Sequence, residues 1–203
     1  MKLNQLFASA ALVVTLPFAA QADSAKNKAF VLEALQNTLL AGDVEAVDKY
    51  FAEDIIQHNE MFASGIDAQK GVVSFLAGND NFKADYVRVI ADDDIVAVHA
   101  RYEGFGETPM IGFDVFRVED GKIAEHWDNL IPEAAPNPSG RTQIDGVTEI
   151  TDLDKTEANK AFVAEFAETV LVGGAFDRIG EYIVGGDDYI QHNPFFHVRT
   201  GHS

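Results

Sequence analysis

A histidine and an aspartate two residues apart, His126 and Asp128, are the pair in this sequence best suited to moving a proton. They flank Trp127 in a run from Lys122 to Leu130 that is predicted to be a β-strand. Alternation along a strand would place Ala124, His126 and Asp128 on one face, and Ile123, Glu125, Trp127 and Asn129 on the other. Two side chains about 7 Å apart on one face can act on the same small ligand.

The chemistry available to this pair depends on which way its face points. In an apolar pocket the pKa of a carboxyl group rises towards neutrality, where an imidazole already titrates, so both groups would exchange protons near pH 7. That suits proton abstraction next to a carbonyl. Asp114, which shares a strand face with Phe116 and Val118, would be a third polar group. The alternative is a solvent-facing side with Trp127 turned to the helices, and spacing alone leaves both open.

Further candidates for contacting a ligand are His58, Asn59, His99 and Tyr102. The tripeptide containing the first two recurs as Gln191-His192-Asn193. At the end of a strand, His58 and Asn59 could donate hydrogen bonds to a ligand oxygen at the pocket mouth, or could simply cap the strand. Since His99 alternates with apolar residues, it also fits a core or surface position.

The sequence predicts neither a metal ion nor an organic cofactor. The candidate histidines lie on separate strands without the close paired spacing of zinc sites. There is no cysteine, which excludes disulfides and thiolate chemistry. Motifs for serine hydrolysis, phosphate binding and dinucleotide binding are also missing from the sequence. The net charge of -18 is spread along the chain and would repel phosphate backbones, so nucleic acid is not an expected partner.

The order of predicted elements indicates an α+β fold. Helical spacing extends from Lys26 to Leu40 and stops at Gly42; Asp43 begins a shorter helix carrying Val44, Val47, Tyr50 and Phe51. Another helix is expected from Ala68 to Leu76, followed by strands at Ala84–Ala91, Ile95–Tyr102, Ile111–Val118 and Lys122–Leu130. Helices covering one face of such a curved antiparallel sheet form a cone with a pocket inside. The glycine-rich loop after Tyr102 is either a wide hairpin or a lid.

The first 22 residues have the pattern of a secretory signal peptide. Lys2 precedes an apolar run from Leu6 to Ala20, and Ala20-Gln21-Ala22 offers a cleavage site. We therefore expect a periplasmic or secreted protein with no membrane segment after cleavage. The run is too short for a bilayer span, which needs roughly 20 residues.

A repeat divides the rest of the chain. Asn27-Lys28-Ala29-Phe30-Val31 returns as Asn159-Lys160-Ala161-Phe162-Val163, a spacing of about 130 residues that indicates a duplicated domain. We expect a first domain over 23–133, a linker over 134–157 and an incomplete second copy over 158–203. No counterpart of the strand with His126 and Asp128 follows in this copy, so it cannot hold a complete site. It is either a truncated frame or a functional element.

The segments Asp54–Asn59 and Phe113–Asp128 resemble the SnoaL-like polyketide cyclase family of the nuclear transport factor 2-like superfamily, and Asn137–Thr156 resembles tandem members of that group. The resemblance implies a cone-shaped fold, a homodimer formed through the outer sheet face, and no cofactor. It also implies that a pocket aspartate acts as acid and base in an intramolecular aldol closure. Asp128, with His126 beside it, is the closest match.

Two functions are consistent with these features. The first is an exported protein that binds a small apolar carbonyl compound and catalyses proton transfer or an aldol-type cyclisation or isomerisation. The second is a non-catalytic periplasmic module for ligand binding or assembly. A signal peptide is unexpected in a polyketide cyclase, whose substrate is made in the cytoplasm, so the substrate class stays open.

Overall fold

The computed structural model describes residues 17–184 and 189–195. Most of the expected signal peptide, residues 1–16, lies outside the described part. Within the described residues, no helix has the length and apolar character needed to cross a membrane.

Helices form the first layer of the domain. They are α1 (Pro17–Leu35), which continues as a π-helical turn (Gln36–Leu40), α2 (Val47–Tyr50) and α3 (Ile66–Ala77). The first ends at Gly42, whose φ of 67° and close approach to Ala77 both favour glycine. Asp43 caps the next turn by accepting hydrogen bonds from two backbone N–H groups at 3.0 and 3.1 Å. Phe51, expected in this helix, instead begins the first strand.

The second layer is a curved five-stranded sheet. Its strands are β1 (Phe51–Gln57), β2 (Lys83–Asp92), β3 (Ile95–Glu103), β4 (Met110–Glu119) and β5 (Lys122–Pro132), in the order β1-β5-β4-β3-β2. The predicted antiparallel meander from β2 to β5 is confirmed, with a two-residue turn of positive φ at Asp120 and Gly121. β1 was not predicted to join the sheet, and it pairs with β5 in parallel.

The hydrophobic core lies between the helices and the concave face of the sheet. It is built from buried side chains of α1, α2 and the strands, including Val31, Leu35, Val47, Val96, Val98, Phe116 and Ile123. The sheet therefore has an inner face towards the helices and an outer face away from them.

A bulge in β5 corrects one expectation about these faces. Arg117 pairs with Glu125, but the next residue, Val118, pairs with Ile123, so the strand contains one extra residue. Paired residues point to the same face, and Ile123 is fully buried in the core with Phe116 and Val118. The expectation that Ile123 shares the outer face with Trp127 is wrong, because it assumed unbroken alternation.

The segment expected to be a linker is held against the outer face of the sheet. The guanidinium group of Arg88 donates hydrogen bonds to the carbonyls of Ile144, Asp145 and Val147, at 3.0, 2.6 and 2.8 Å. A bulge between Tyr86 and Arg88 turns this arginine outward. Part of the face through which the resemblance implies dimerisation is thus occupied by the chain itself.

We call this segment, residues 134–157, the arm. The chain then forms a second helical segment. It consists of α4 (Thr156–Phe166), a π-helical turn (Ala167–Val172) and a 3-10 turn (Phe176–Glu181). Gly174, with a φ of 71°, ends the helical run as Gly42 does in the first segment. Most of its apolar side chains are exposed.

Candidate functional site

A pocket opens between the helices and the concave face of the sheet. Its walls are mainly apolar and come from α1 with its π-helical turn, α3, three strands, and the loops after β1 and β3: Leu35, Leu39, Phe51, Phe62, Val72, Leu76, Phe105, Phe116 and Leu130. One end is polar, with Gln57, Gln69, Tyr102, Asp114, His126 and Asp128. The pocket has a cavity volume of about 60 Å³, which accommodates a few water-sized groups. It therefore suits a small ligand.

The strand register brings three of the candidate residues together. Asp114 of β4 pairs with Asp128 of β5, and Phe116 pairs with His126, so the side chains of Asp114, Asp128 and His126 share the inner face. Their donor atoms lie within 4.8 Å of one another. The structure thus places the His126 and Asp128 pair in the pocket.

Asp114 is the most enclosed of the three. It is 8% exposed, and its Oδ2 accepts a hydrogen bond of 2.5 Å from the Tyr102 hydroxyl. Its Oδ1 lies 3.2 Å from Nε2 of His126. Burial and the neighbouring Asp114 carboxylate raise the pKa of Tyr102 well above its usual value, so this hydroxyl keeps its proton. Both oxygens of Asp114 are therefore in contact with polar groups on neighbouring strands.

Asp128 is held by one side chain from β1's end. The amide nitrogen of Asn59 lies 2.9 Å from Oδ1 and 2.7 Å from Oδ2 of Asp128. The Asn59 side chain is itself fixed, because its oxygen accepts the backbone N–H of Met61 at 2.8 Å. Asp128 accepts a hydrogen bond from this one amide and keeps acceptor capacity on both oxygens.

His58, expected at the pocket mouth, lies on the outer face instead. Its ring stacks on Trp127, with centroids 4.9 Å apart, and its Nε2 is 2.7 Å from Oε1 of Glu125. His58 and Arg117 together lower the pKa of Glu125. The expectation that His58 contacts the ligand is not met, because the alternation of β1 directs Gln57 inward and His58 outward.

His99 is also outside the pocket. It is 8% exposed on the outer face, stacked on Phe113 at 4.2 Å and 3.3 Å from Nη1 of Arg88. Burial lowers the pKa of His99, and the positive charges of Arg88 and His192 lower it further. His99 is therefore a packing residue beneath the arm, and its expected role in ligand binding is not met.

Gln57 is a pocket residue that the sequence analysis did not select. Its side-chain oxygen lies 3.1 Å from Nδ1 of His126 and accepts the backbone N–H of Asn59 at 2.9 Å. The sequence feature that could have identified Gln57 is its place in the repeated Gln-His-Asn tripeptide, from which only the histidine and the asparagine were chosen as candidates. Phe105, in the loop after β3, is a second addition; it packs edge-on against Phe82 and Tyr102 at the pocket wall.

The same polar end contains the donor set that could hold a metal ion. Two carboxylates and one imidazole, from Asp114, Asp128 and His126, suit Zn²⁺ or Fe²⁺. In the described geometry, however, these groups contact each other, Tyr102 and Asn59. Among the described residues they therefore form one hydrogen-bonded cluster at the polar end of the pocket.

Comparison with known proteins places this domain in a family. Residues 31–126 match the model of the SnoaL-like domain. No curated protein matches the chain significantly. Similar solved structures include an LEH-like epoxide hydrolase from M. tuberculosis (23% identity over 53% of this chain and 84% of that chain, TM-score 0.46). Another is a SnoaL-like polyketide cyclase from Jannaschia sp. CCS1, described as putative (17% identity, 53% and 87%, TM-score 0.45). A third is an NTF2-like protein of unknown function from Mesorhizobium loti (20% identity, 52% and 92%, TM-score 0.46). On the family match, residues 31–126 form a SnoaL-like domain.

Proposed function

We propose that the SnoaL-like domain binds a small, neutral, largely apolar carbonyl compound and moves a proton at the carbon next to the carbonyl. The observation that carries this proposal is the position of Asp128. Its carboxylate lies at the polar end of an otherwise apolar pocket, oriented by Asn59 and beside the pair formed by Asp114 and His126.

Asp128 is the base in this mechanism. Asp114 is less suited, because Tyr102 and His126 already engage its two oxygens. When Asp128 takes the proton, the carbon–hydrogen bond breaks and its electrons move into an enolate. His126, hydrogen-bonded to Asp114, stabilises this enolate by donating a hydrogen bond to its oxyanion. The enolate can then be reprotonated in an isomerisation, or can attack a second carbonyl in an aldol-type cyclisation.

The charge around the pocket favours a neutral compound. Neither lysine nor arginine occurs among the residues that line it, whereas two carboxylates do. A ligand carrying its own carboxylate or phosphate would meet repulsion from these carboxylates in a low-dielectric site, with no lysine or arginine in the lining to pair with. The apolar walls instead bury hydrocarbon surface.

The substrate-independent signature of this chemistry is exchange of the α-hydrogens of a ketone with solvent deuterium. Cyclopentanone is a suitable neutral probe, and NMR measures its deuteration in D₂O. We expect the wild-type protein to exceed the buffer rate and Asp128→Asn to lower it by about 100-fold or more. Asp54→Asn, which removes the same charge from the exposed part of β1, should leave the rate unchanged.

Two outcomes would overturn the proposal. Equal rates for wild type and Asp128→Asn would show that this carboxylate is not the base. Binding of cyclopentanone without any exchange above the buffer rate would favour the non-catalytic binding module. Ligand-dependent shifts of the His126 ring resonances report binding independently of turnover.

Export is part of the same proposal. The signal-like residues 1–22 would direct the chain across a membrane and be removed after Ala22. Cell fractionation with mass measurement of the mature N-terminus tests this. A cytoplasmic protein that still begins at Met1 would contradict it.

A further inference from the structure

Gln57 joins the end of β1 to the polar end of the pocket. In the parallel pairing of β1 with β5 it is the register partner of His126. Its side chain lines the pocket, and its backbone N–H donates to the hydroxyl of Ser64 at 3.0 Å. The residue is therefore held from two sides next to the imidazole.

The hydrogen bonds of Gln57 determine where His126 carries its proton. The Gln57 side-chain oxygen accepts the backbone N–H of Asn59 at 2.9 Å, which identifies this atom as the acceptor end of the amide. The same oxygen lies 3.1 Å from Nδ1 of His126. Two groups in contact with one acceptor must both be donors, so Nδ1 of His126 carries a hydrogen.

This assignment leaves Nε2 of His126 for the contact with Asp114. The two atoms, Nε2 and Oδ1, are 3.2 Å apart and share one proton, either as imidazolium with carboxylate or as imidazole with carboxylic acid. The other oxygen of Asp114 is occupied by the Tyr102 hydroxyl. The transferable proton of the site is therefore located between Nε2 and Asp114, on the pocket side of the ring.

We propose that Gln57 is a positioning residue that fixes the tautomer and ring orientation of His126. By holding Nδ1–H it keeps Nε2 directed at Asp114 and at the ligand. The catalytic consequence depends on the function proposed above, whereas the tautomer itself can be measured without any substrate.

The repeat in this chain provides a matched control. Gln191 accepts the backbone N–H of Asn193 at 2.9 Å, and Asn193 accepts that of Phe195 at 2.8 Å. Gln57 and Asn59 make the same two turn contacts. Among the described hydrogen bonds, however, the Gln191 side chain contacts no histidine. Gln191→Leu therefore removes a turn contact alone, whereas Gln57→Leu removes a turn contact and the bond to His126.

Long-range ¹H–¹⁵N NMR of the histidine rings reads the tautomer directly. In the wild type at neutral pH we expect Nδ1 of His126 to carry a hydrogen, both in the imidazolium and in the neutral ring. In Gln57→Leu this fixed hydrogen on Nδ1 should be lost, and in Gln191→Leu the His126 signals should not change. Gln57→Glu keeps an acceptor at Nδ1 and adds a negative charge, so it should retain the Nδ1–H and shift the titration of His126 to higher pH.

Activity provides the second readout, using deuteration of cyclopentanone. Gln57→Leu should lower the rate by about 10- to 100-fold, as large as the loss when a metal-bound histidine is deprived of the partner that orients it. Gln57→Glu should retain activity with its pH profile displaced upward. Comparing the thermal unfolding of Gln57→Leu with that of Gln191→Leu separates the loss of the bond to His126 from the loss of the turn contact.

The proposal is overturned if His126 has the same tautomer and the same titration in Gln57→Leu as in the wild type. Another pair of results would count against the proposed function without affecting the role of Gln57. If wild-type protein gives no deuteration while Gln57→Leu still changes the tautomer, the positioning role holds and the catalytic function fails.

Discussion

The two helical segments of this chain have the same internal contacts but different surroundings. In the first, the rings of Phe30 and Tyr50 are 5.7 Å apart and inclined by 54°; in the second, those of Phe162 and Tyr182 are 5.6 Å apart and inclined by 50°. The tyrosine hydroxyls donate to equivalent glutamates, at 2.7 Å to Glu33 and 3.0 Å to Glu165. Both segments also contain a π-helical turn followed by a left-handed glycine.

The difference lies in what covers each segment. Val31 and Val47 are fully buried against the sheet, whereas their equivalents Val163 and Ile179 are 59% and 39% exposed. No counterpart of the β2–β5 meander occurs among the described residues after 158. Local sequence is thus sufficient for the helical contacts, but burial and the polar site require the sheet. The interpretation of 158–203 as an incomplete second copy stays a prediction from the repeat in the sequence.

Truncating the paired valines gives the largest expected contrast between the segments. Val31→Ala should lower the free energy of unfolding by about 2 kcal/mol, because it removes buried methyl groups and leaves a cavity. Val163→Ala should change it by less than about 0.5 kcal/mol, since that side chain is exposed. Urea denaturation of both variants measures this. Equal losses would show that the second segment is covered in solution, for example by another molecule.

Removing the tyrosine hydroxyls is a smaller test of the same comparison. Tyr50→Phe should cost about 1 kcal/mol, because the hydroxyl of this buried ring also contacts Asn37 and Lys49. Tyr182→Phe should cost less, because its hydrogen bonds are exposed to solvent. The same denaturation experiment reads both. A larger loss of unfolding free energy in Tyr182→Phe than in Tyr50→Phe would contradict the conclusion that burial against the sheet causes the difference between the two segments.

The smallest predicted effect concerns the contact between the arm and the sheet. The pKa of His99 is lowered in the folded protein, so the stability it contributes is complete above its unfolded value of about 6.5 and is lost as the pH falls through the lowered value. His99→Gln should therefore lose less stability than the wild type between pH 7 and pH 5. Parallel pH dependences of the two proteins would show that protonation of His99 is not coupled to folding.

The helices and the meander could be predicted because their periodicity and turn residues are local signals. The pairing of β1 with β5 could not, since a parallel contact between distant segments leaves no trace in either one. The bulge before Glu125 shifted the alternation by one residue and misplaced Ile123. In the repeated Gln-His-Asn tripeptide, the sequence does not show which of the last residues of β1 point to the inner face of the sheet. His58 was therefore expected at the pocket, whereas Gln57 lines it and His58 stacks on Trp127 on the outer face.

The most direct test of the account is the ratio of cyclopentanone deuteration rates between the wild type and Asp128→Asn, with Asp54→Asn as the control. If Asp128 is the base, the wild-type rate is well above the buffer rate, Asp128→Asn lowers it by about 100-fold and the control variant does not lower it. Indistinguishable rates for the wild type and Asp128→Asn would contradict it.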